Sequence, residues 1–185
     1  MPAPSAEFKR ALKELSEKEK ENLILRAVRR DAELYDMLVF ELLDDVTMEH
    51  LLEETSEKIH DLMHTTSGRS FAKSLNKSLR KAIKEIARFK RITKDAKGEV
   101  ELHIFLLKLI FDNFTGQFES VYRSFFVTTA RLTVRTGQLI RKNLHEDYQI
   151  EYKAYLDEFL AHLHGRSRSH QLSFSLPQEF ELASA

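Results

Sequence analysis

The chain has 185 residues, 42% of them apolar, and no cysteine, so it is long enough to enclose a core but cannot form disulfides, thiolate metal sites or a cysteine nucleophile. Only 5 Gly and 3 Pro punctuate it, which argues against a turn-rich all-β fold and for long helices with short connections. The 29 basic and 29 acidic residues cancel, so no overall field favours a polyanion or polycation, and any charge-based contact has to come from local patterning.

The opening Met1-Pro2-Ala3-Pro4-Ser5 has no basic region followed by an apolar one, unlike a secretory signal. Ser5 is placed to cap a short helix whose apolar residues are Phe8, Ala11, Leu12 and Leu15. Ser16-Glu17-Lys18-Glu19 is a capping box, predicting a second helix from Ser16 to about Arg30. Asp31 can cap a third. From Leu34 to Leu43 that helix is apolar most of the way round, which predicts a place near the core.

Asp44, Asp45 and Thr47 mark the next boundary, and Met48, Leu51, Leu52, Thr55, Ile59, Leu62 and Met63 follow at helical spacing. Thr65-Thr66-Ser67-Gly68 reads as a loop. Phe71, Leu75, Leu79, Ala82, Ile83, Ile86 and Phe89 then trace one long stripe, ending around residues 95–98 with Gly98 as the expected stop. Residues 100–114 form a strongly apolar helix, expected to be the most buried. Its longest apolar stretch, 104–111, is interrupted by Lys108 and is too short to span a bilayer. Thr115-Gly116 can break or kink the helix, after which Phe118, Val121, Tyr122, Phe125 and Leu132 carry a helical pattern to about His145. Glu146-Asp147 starts a last helix reaching Leu163. From Gly165 the composition turns polar, and Leu172-Ser173-Phe174-Ser175-Leu176 alternates, so residues 165–185 read as a tail, partly disordered or lying over the body.

Two neighbouring helices carry opposite charge stripes. Asp45, Glu49, Glu53, Glu57 and Asp61 recur every four residues. Arg69, Lys73, Lys77, Arg80, Lys84, Arg88 and Arg91 recur every three or four. Residues 1–64 hold 9 basic and 16 acidic side chains, net −7, whereas residues 65–97 hold 11 and 2, net +9. If the two helices form an antiparallel hairpin with their apolar faces together, both stripes point outward and meet only at the flanks. Flanking surface ion pairs are each worth well under about 1 kcal/mol, so the pattern reads first as a solvated surface and second as a docking face. The basic series is the candidate contact, with an acidic protein partner or the acidic stripe of another copy opposite it. Nucleic acid is the alternative. It ranks lower because no exposed aromatics interleave the stripe and the acidic third of the chain opposes a polyanion.

Glu57, His60 and His64 have the spacing of helical zinc or di-iron ligands. A carboxylate-bridged site needs a matching unit on a facing helix, and none is found, so no metal or other cofactor is expected. Glu158, His162 and His164 form a looser group near a helix end, where a histidine interacts well with the helix dipole. His103, among Val100, Ile104 and Leu107, reads as a hydrogen-bonded core or boundary residue. No phosphate loop, dinucleotide fingerprint, zincin motif or nucleophile elbow is present, so there is little ground for an enzyme.

Two stretches, Leu12-Lys13-Glu14-Leu15-Ser16-Glu17-Lys18-Glu19 and Leu79-Arg80-Lys81-Ala82-Ile83-Lys84-Glu85-Ile86, the second followed by the apolar helix from Val100, are similar to a family of uncharacterised bacterial all-helical proteins. The resemblance implies an all-helical fold and transfers no functional residues. The expectation is therefore an all-α protein: a single domain of seven or eight helices in antiparallel hairpins around one core over residues 1–164, as an irregular bundle or a short superhelical stack, with a tail from 165. Its expected role is a cytoplasmic, non-catalytic interaction or scaffold domain without membrane contact, with a metal-dependent enzyme as the remotest alternative.

Overall fold

In the computed structural model, residues 3–67, 70–167 and 172–182 are described. The protein is 79% helical, and the described residues contain eight α-helices and no strand, which makes it an all-α bundle. The chain divides into two compact units, Met1–Val46 and Thr47–Ala185.

The first unit holds α1 (Ala6–Glu14), α2 (Glu17–Val28) and α3 (Ala32–Leu42). Their starts follow the local chemistry. The Ser5 hydroxyl accepts the Phe8 amide at 3.2 Å, and Asp31 accepts the amides of Glu33 and Leu34. The Ser16 box is complete, with the Glu19 carboxylate accepting from the Ser16 amide and hydroxyl at 2.9 and 2.6 Å. Those hydrogen bonds hold the Glu19 carboxyl below its ordinary range. No described residue of this unit is buried. The expectation that α3 lies near a core fails: Leu34, Leu38 and Val39 are half-buried, and Tyr35, Leu42 and Leu43 are exposed. Three helices this short have too little volume to enclose an interior.

The second unit holds α4 (Met48–His64), α5 (Phe71–Thr93), α6 (Ala96–Asn113), a 3-10 turn at Thr115–Glu119, α7 (Ser124–Asn143) and α8 (Glu146–Ser167). Helix α6 is the hub, packed against α4, α5, α7, α8 and the 3-10 turn. Ten of its residues are buried, as its apolar run predicts. Helices α4 and α5 pair along their length, and their register is antiparallel. Thr66 near the end of α4 shares a 2.8 Å hydroxyl hydrogen bond with Ser78 early in α5, and Glu54 near the start of α4 feels the charge of Arg88 late in α5.

Two boundaries differ from the sequence reading. Gly98 is not a helix stop. Helix α5 ends at Thr93, with Lys94 in the left-handed region at φ 59°, and Asp95 caps α6 by accepting the amides of Lys97 and Gly98. Gly98 sits in the first turn of α6 because a Cβ there would fall 2.5 Å from Asp95 Oδ2 and 2.8 Å from the Phe89 ring. The second difference lies at 118–123: α6 ends just before Thr115-Gly116, where a break is expected, but the apolar spacing beyond that break suggests helix. The chain instead makes the 3-10 turn, which plugs Phe118 into the core while Val121 and Tyr122 face solvent. Phe118 packs edge-on against Phe111 and Phe126, at 5.7 and 5.5 Å between centroids. Helix α8 also runs past the expected end at Leu163, through Gly165, to Ser167.

Residues 172–182 lie against α7 and α8, with Phe180 buried and Leu172, Phe174 and Leu176 partly so. Among the described residues, no helix is long and apolar enough to cross a membrane.

Leu79 and Ile86 are fully buried on α5, whereas Lys84 is exposed on its other face. Leu79→Ala or Ile86→Ala should cost roughly 2–5 kcal/mol in urea unfolding, and Lys84→Ala less than about 0.5 kcal/mol. Gly98→Ala should cost about 1–3 kcal/mol, because either the cap or the Phe89 ring has to move. A neutral Gly98→Ala would mean that this turn is looser than described.

Candidate functional site

The candidate site is the outer surface of the α4–α5 hairpin. Helix α5 buries Leu75, Leu79, Ala82, Ile86, Phe89 and Ile92 on one side. At about 100° per residue, Lys73, Lys77, Arg80, Lys84, Arg88 and Arg91 fall within an arc of about 80° on the other. Lys73, Lys77, Arg80, Lys84 and Arg91 are exposed. Arg88, at the edge of that arc, is half-buried and lies 3.8 Å from Glu85. Arg69, the first of the expected series, lies outside the described residues. Lys73, Lys77, Arg80 and Lys84 have no ion pair with any described residue, and they cover about 16 Å of helix.

On α4, Glu49, Glu53, Glu57 and Asp61 are all exposed. Asp45, expected to begin this series, stands in a turn of the first unit before α4 starts, so the helical acidic stripe has four members. Stepping by four drifts about 40° each time, so these carboxylates spiral across the surface where the basic series stays in line. The helices exchange charge at their flank. Lys58, 2.7 Å from Glu54, is the main cause of that carboxyl's lowered pKa, and Arg88 adds a smaller pull.

The histidine group resolves differently. His60 and His64 stack with centroids 4.1 Å apart, and the His64 ring also leans on Phe114 at 5.6 Å. His64 Nδ1 is 3.1 Å from the His60 carbonyl oxygen and donates to it, which ties the ring to its own helix. Ser56, Glu57, His60, Asp61 and Phe105 line an open hollow of about 420 Å³. Among the described residues, no three histidine or carboxylate side chains come together where they could hold a metal ion. Glu158 is exposed, His162 lies by the Phe111 ring at 5.8 Å, and His164 Nε2 donates to the Pro177 carbonyl at 2.7 Å. Those three therefore do not form a unit.

His103 is 2% exposed on α6, and its Nδ1 donates to the Glu99 carbonyl at 3.0 Å. Burial pushes its pKa down to about 4, with the charge of Arg135 adding to the effect. It is a neutral core residue.

Sequence reasoning missed the side chains that hold the C-terminal segment: Lys153, Asp157 and Gly137. Lys153 and Asp157 look like any i,i+4 surface pair. Gly137 within a helical pattern was the one available signal, since such a glycine often marks a close approach.

Comparison with known proteins yields no match: no family model fits the chain, and none of the curated proteins or solved structures matches it. The family resemblance therefore rests on the two quoted stretches alone.

The unfolded His103 takes a proton near its ordinary value of 6.5, the folded one only near 4. Between these values the unfolded state binds more protons, so stability rises with pH there and is lost as pH falls from 6.5 towards 4. Urea unfolding across this range should show a loss on the order of 3 kcal/mol that is absent in His103→Phe. Equal pH slopes in the two proteins would mean that His103 is not shielded from water.

Proposed function

We propose that this protein is a non-catalytic interaction domain of the cytoplasm, and that the basic face of α5 is its contact surface. The observation that carries this reading is the row of exposed lysines and arginine, Lys73, Lys77, Arg80 and Lys84, left without ion pairs among the described residues. Helix α5 needs only its apolar side to fold, so four aligned cations on the other side are spare charge. The partner is an acidic helical surface. The acidic face of α4 in a second copy is one such surface, which makes the hairpin self-complementary. Reciprocal pairing would close a two-fold dimer. The N-terminal unit, with Phe8, Leu12, Ile24 and Leu25 exposed, supports an interaction role in a separate way, since apolar clusters of this kind are costly to leave in water.

The same cations could meet nucleic-acid phosphates. The four carboxylates on the adjoining helix would repel a polyanion, which is why a protein surface is preferred.

Contacts of this kind are polar and screened, since the Debye length is about 8 Å at physiological salt. Equilibrium sedimentation should therefore show weak self-association at low ionic strength that fades as salt rises. Replacing Lys77, Arg80 and Lys84 together by Glu should abolish it with the helical circular dichroism spectrum unchanged. A strict monomer at low salt contradicts the self-pairing, and saturable, steeply salt-dependent binding of a DNA or RNA duplex would move the assignment to nucleic acid.

A further inference from the structure

The segment 172–182 forms neither helix nor strand, yet it is fixed on α7 and α8. Phe180 is the anchor. Its ring is buried over Gly137 of α7, where a Cβ would come within 3.2 and 3.4 Å of two ring carbons. The missing side chain at 137 is what makes room for an aromatic ring. The backbone of the same residue is held from α8: Asp157 Oδ1 accepts the Phe180 amide at 2.6 Å, and Lys153 Nζ donates to the Phe180 carbonyl at 2.7 Å. Lys153 and Asp157 are themselves bridged at 2.9 Å, so one i,i+4 pair satisfies both polar groups of one extended residue. The flanking acids also find cations, Glu179 at 3.6 Å from Lys153 and Glu181 at 3.8 Å from Arg141. Upstream, the Pro177 carbonyl accepts from His164.

These contacts are those of a receptor with an extended peptide. Side chains bond the ligand's backbone, one apolar seat takes a ring, and cations select its acidic neighbours. We propose that the α7–α8 groove is a docking site for an extended acid–aromatic–acid peptide, and that its occupant in trans is the same segment, Glu179-Phe180-Glu181 at its centre, of a second copy of this chain. A groove that fits the segment within one chain fits it equally between two, which is the low-cost route to exchanged dimers. Phe180 is the one buried side chain of the segment among the described residues, so undocking the segment uncovers little of the core. While tethered it competes at an effective concentration of roughly millimolar, so exchange shows when docking within the chain is disabled. The groove shares no residue with the basic face of α5, and the two proposals stand or fall separately.

Two full-length variants test it, both carrying Lys77→Glu, Arg80→Glu and Lys84→Glu to silence association through α5. Phe180→Asp disables the segment and leaves the groove intact. Lys153→Asp with Asp157→Lys keeps the i,i+4 pair but inverts it, so neither backbone bond to Phe180 can form. By sedimentation at physiological salt, each variant alone is expected to be a monomer and their mixture to contain a heterodimer. A fluorescent synthetic peptide of the 172–182 sequence should bind the Phe180→Asp chain saturably, and at least about tenfold more weakly when its Phe180 is replaced by Ala. The peptide assay keeps the test decisive if the inverted variant does not fold. A monomeric mixture of two variants with wild-type helical spectra overturns exchange between copies, and failure of the peptide to bind the folded Phe180→Asp chain overturns the docking groove itself.

Discussion

Helix α6 is apolar around most of its circumference, and a helix of that kind has to be enclosed on every side. The second unit is arranged to do this. Helices α4, α5, α7 and α8 each bring a stripe to α6, and the 3-10 turn closes one end with Phe118. Phe111 on α6 stacks on Phe159 of α8 at 4.6 Å, tying the last helix to the hub. Each surrounding helix needs apolar residues only on its inner face, which leaves the outer faces open to other uses. Helix α5 is the clearest case, with its core stripe and its basic stripe on opposite sides.

The polar groups inside the bundle are mostly satisfied by the helix that carries them. His103 donates to the Glu99 carbonyl, and the hydroxyls of Thr133 and Thr136 donate to the carbonyls of Thr129 and Leu132. Such bonds let a helix bury polar side chains without partners on its neighbours. The first unit has no counterpart of α6. Its helices are well capped but enclose nothing, so they are locally specified without a core of their own.

Much of this was legible in the sequence, because caps and periodicity are local. Ser5, Ser16, Asp31 and Thr47 cap the helices they precede, and the apolar run after Val100 announces the hub. What was not legible depends on long-range contact. Phe118 and Phe125 have helical spacing, yet they reach the same aromatic cluster from a 3-10 turn and an α-helix, 5.7 Å apart. Gly98 looks like a stop until the Phe89 ring is placed beside it. Helix α3 is apolar but not buried, because an apolar pattern signals a need for cover and does not supply the volume that provides it. At the candidate site, spacing alone put the basic residues on one face, whereas the half-buried state of Arg88 has no counterpart in that spacing. The clasp on Phe180 joins residues more than twenty positions apart and left no local trace.

In the proposed reading, α5 separates folding from contact, with stability on its inner face and spare charge on its outer one. Urea unfolding of the chain with Lys77, Arg80 and Lys84 all changed to Glu tests this most directly, at a salt concentration where the protein is monomeric. The expected unfolding free energy lies within about 0.5 kcal/mol of the unaltered chain, as for surface substitutions away from structural features. A loss of several kcal/mol, comparable to removing a core side chain such as Leu79, would show that the basic stripe is part of the structural frame and would contradict the claim.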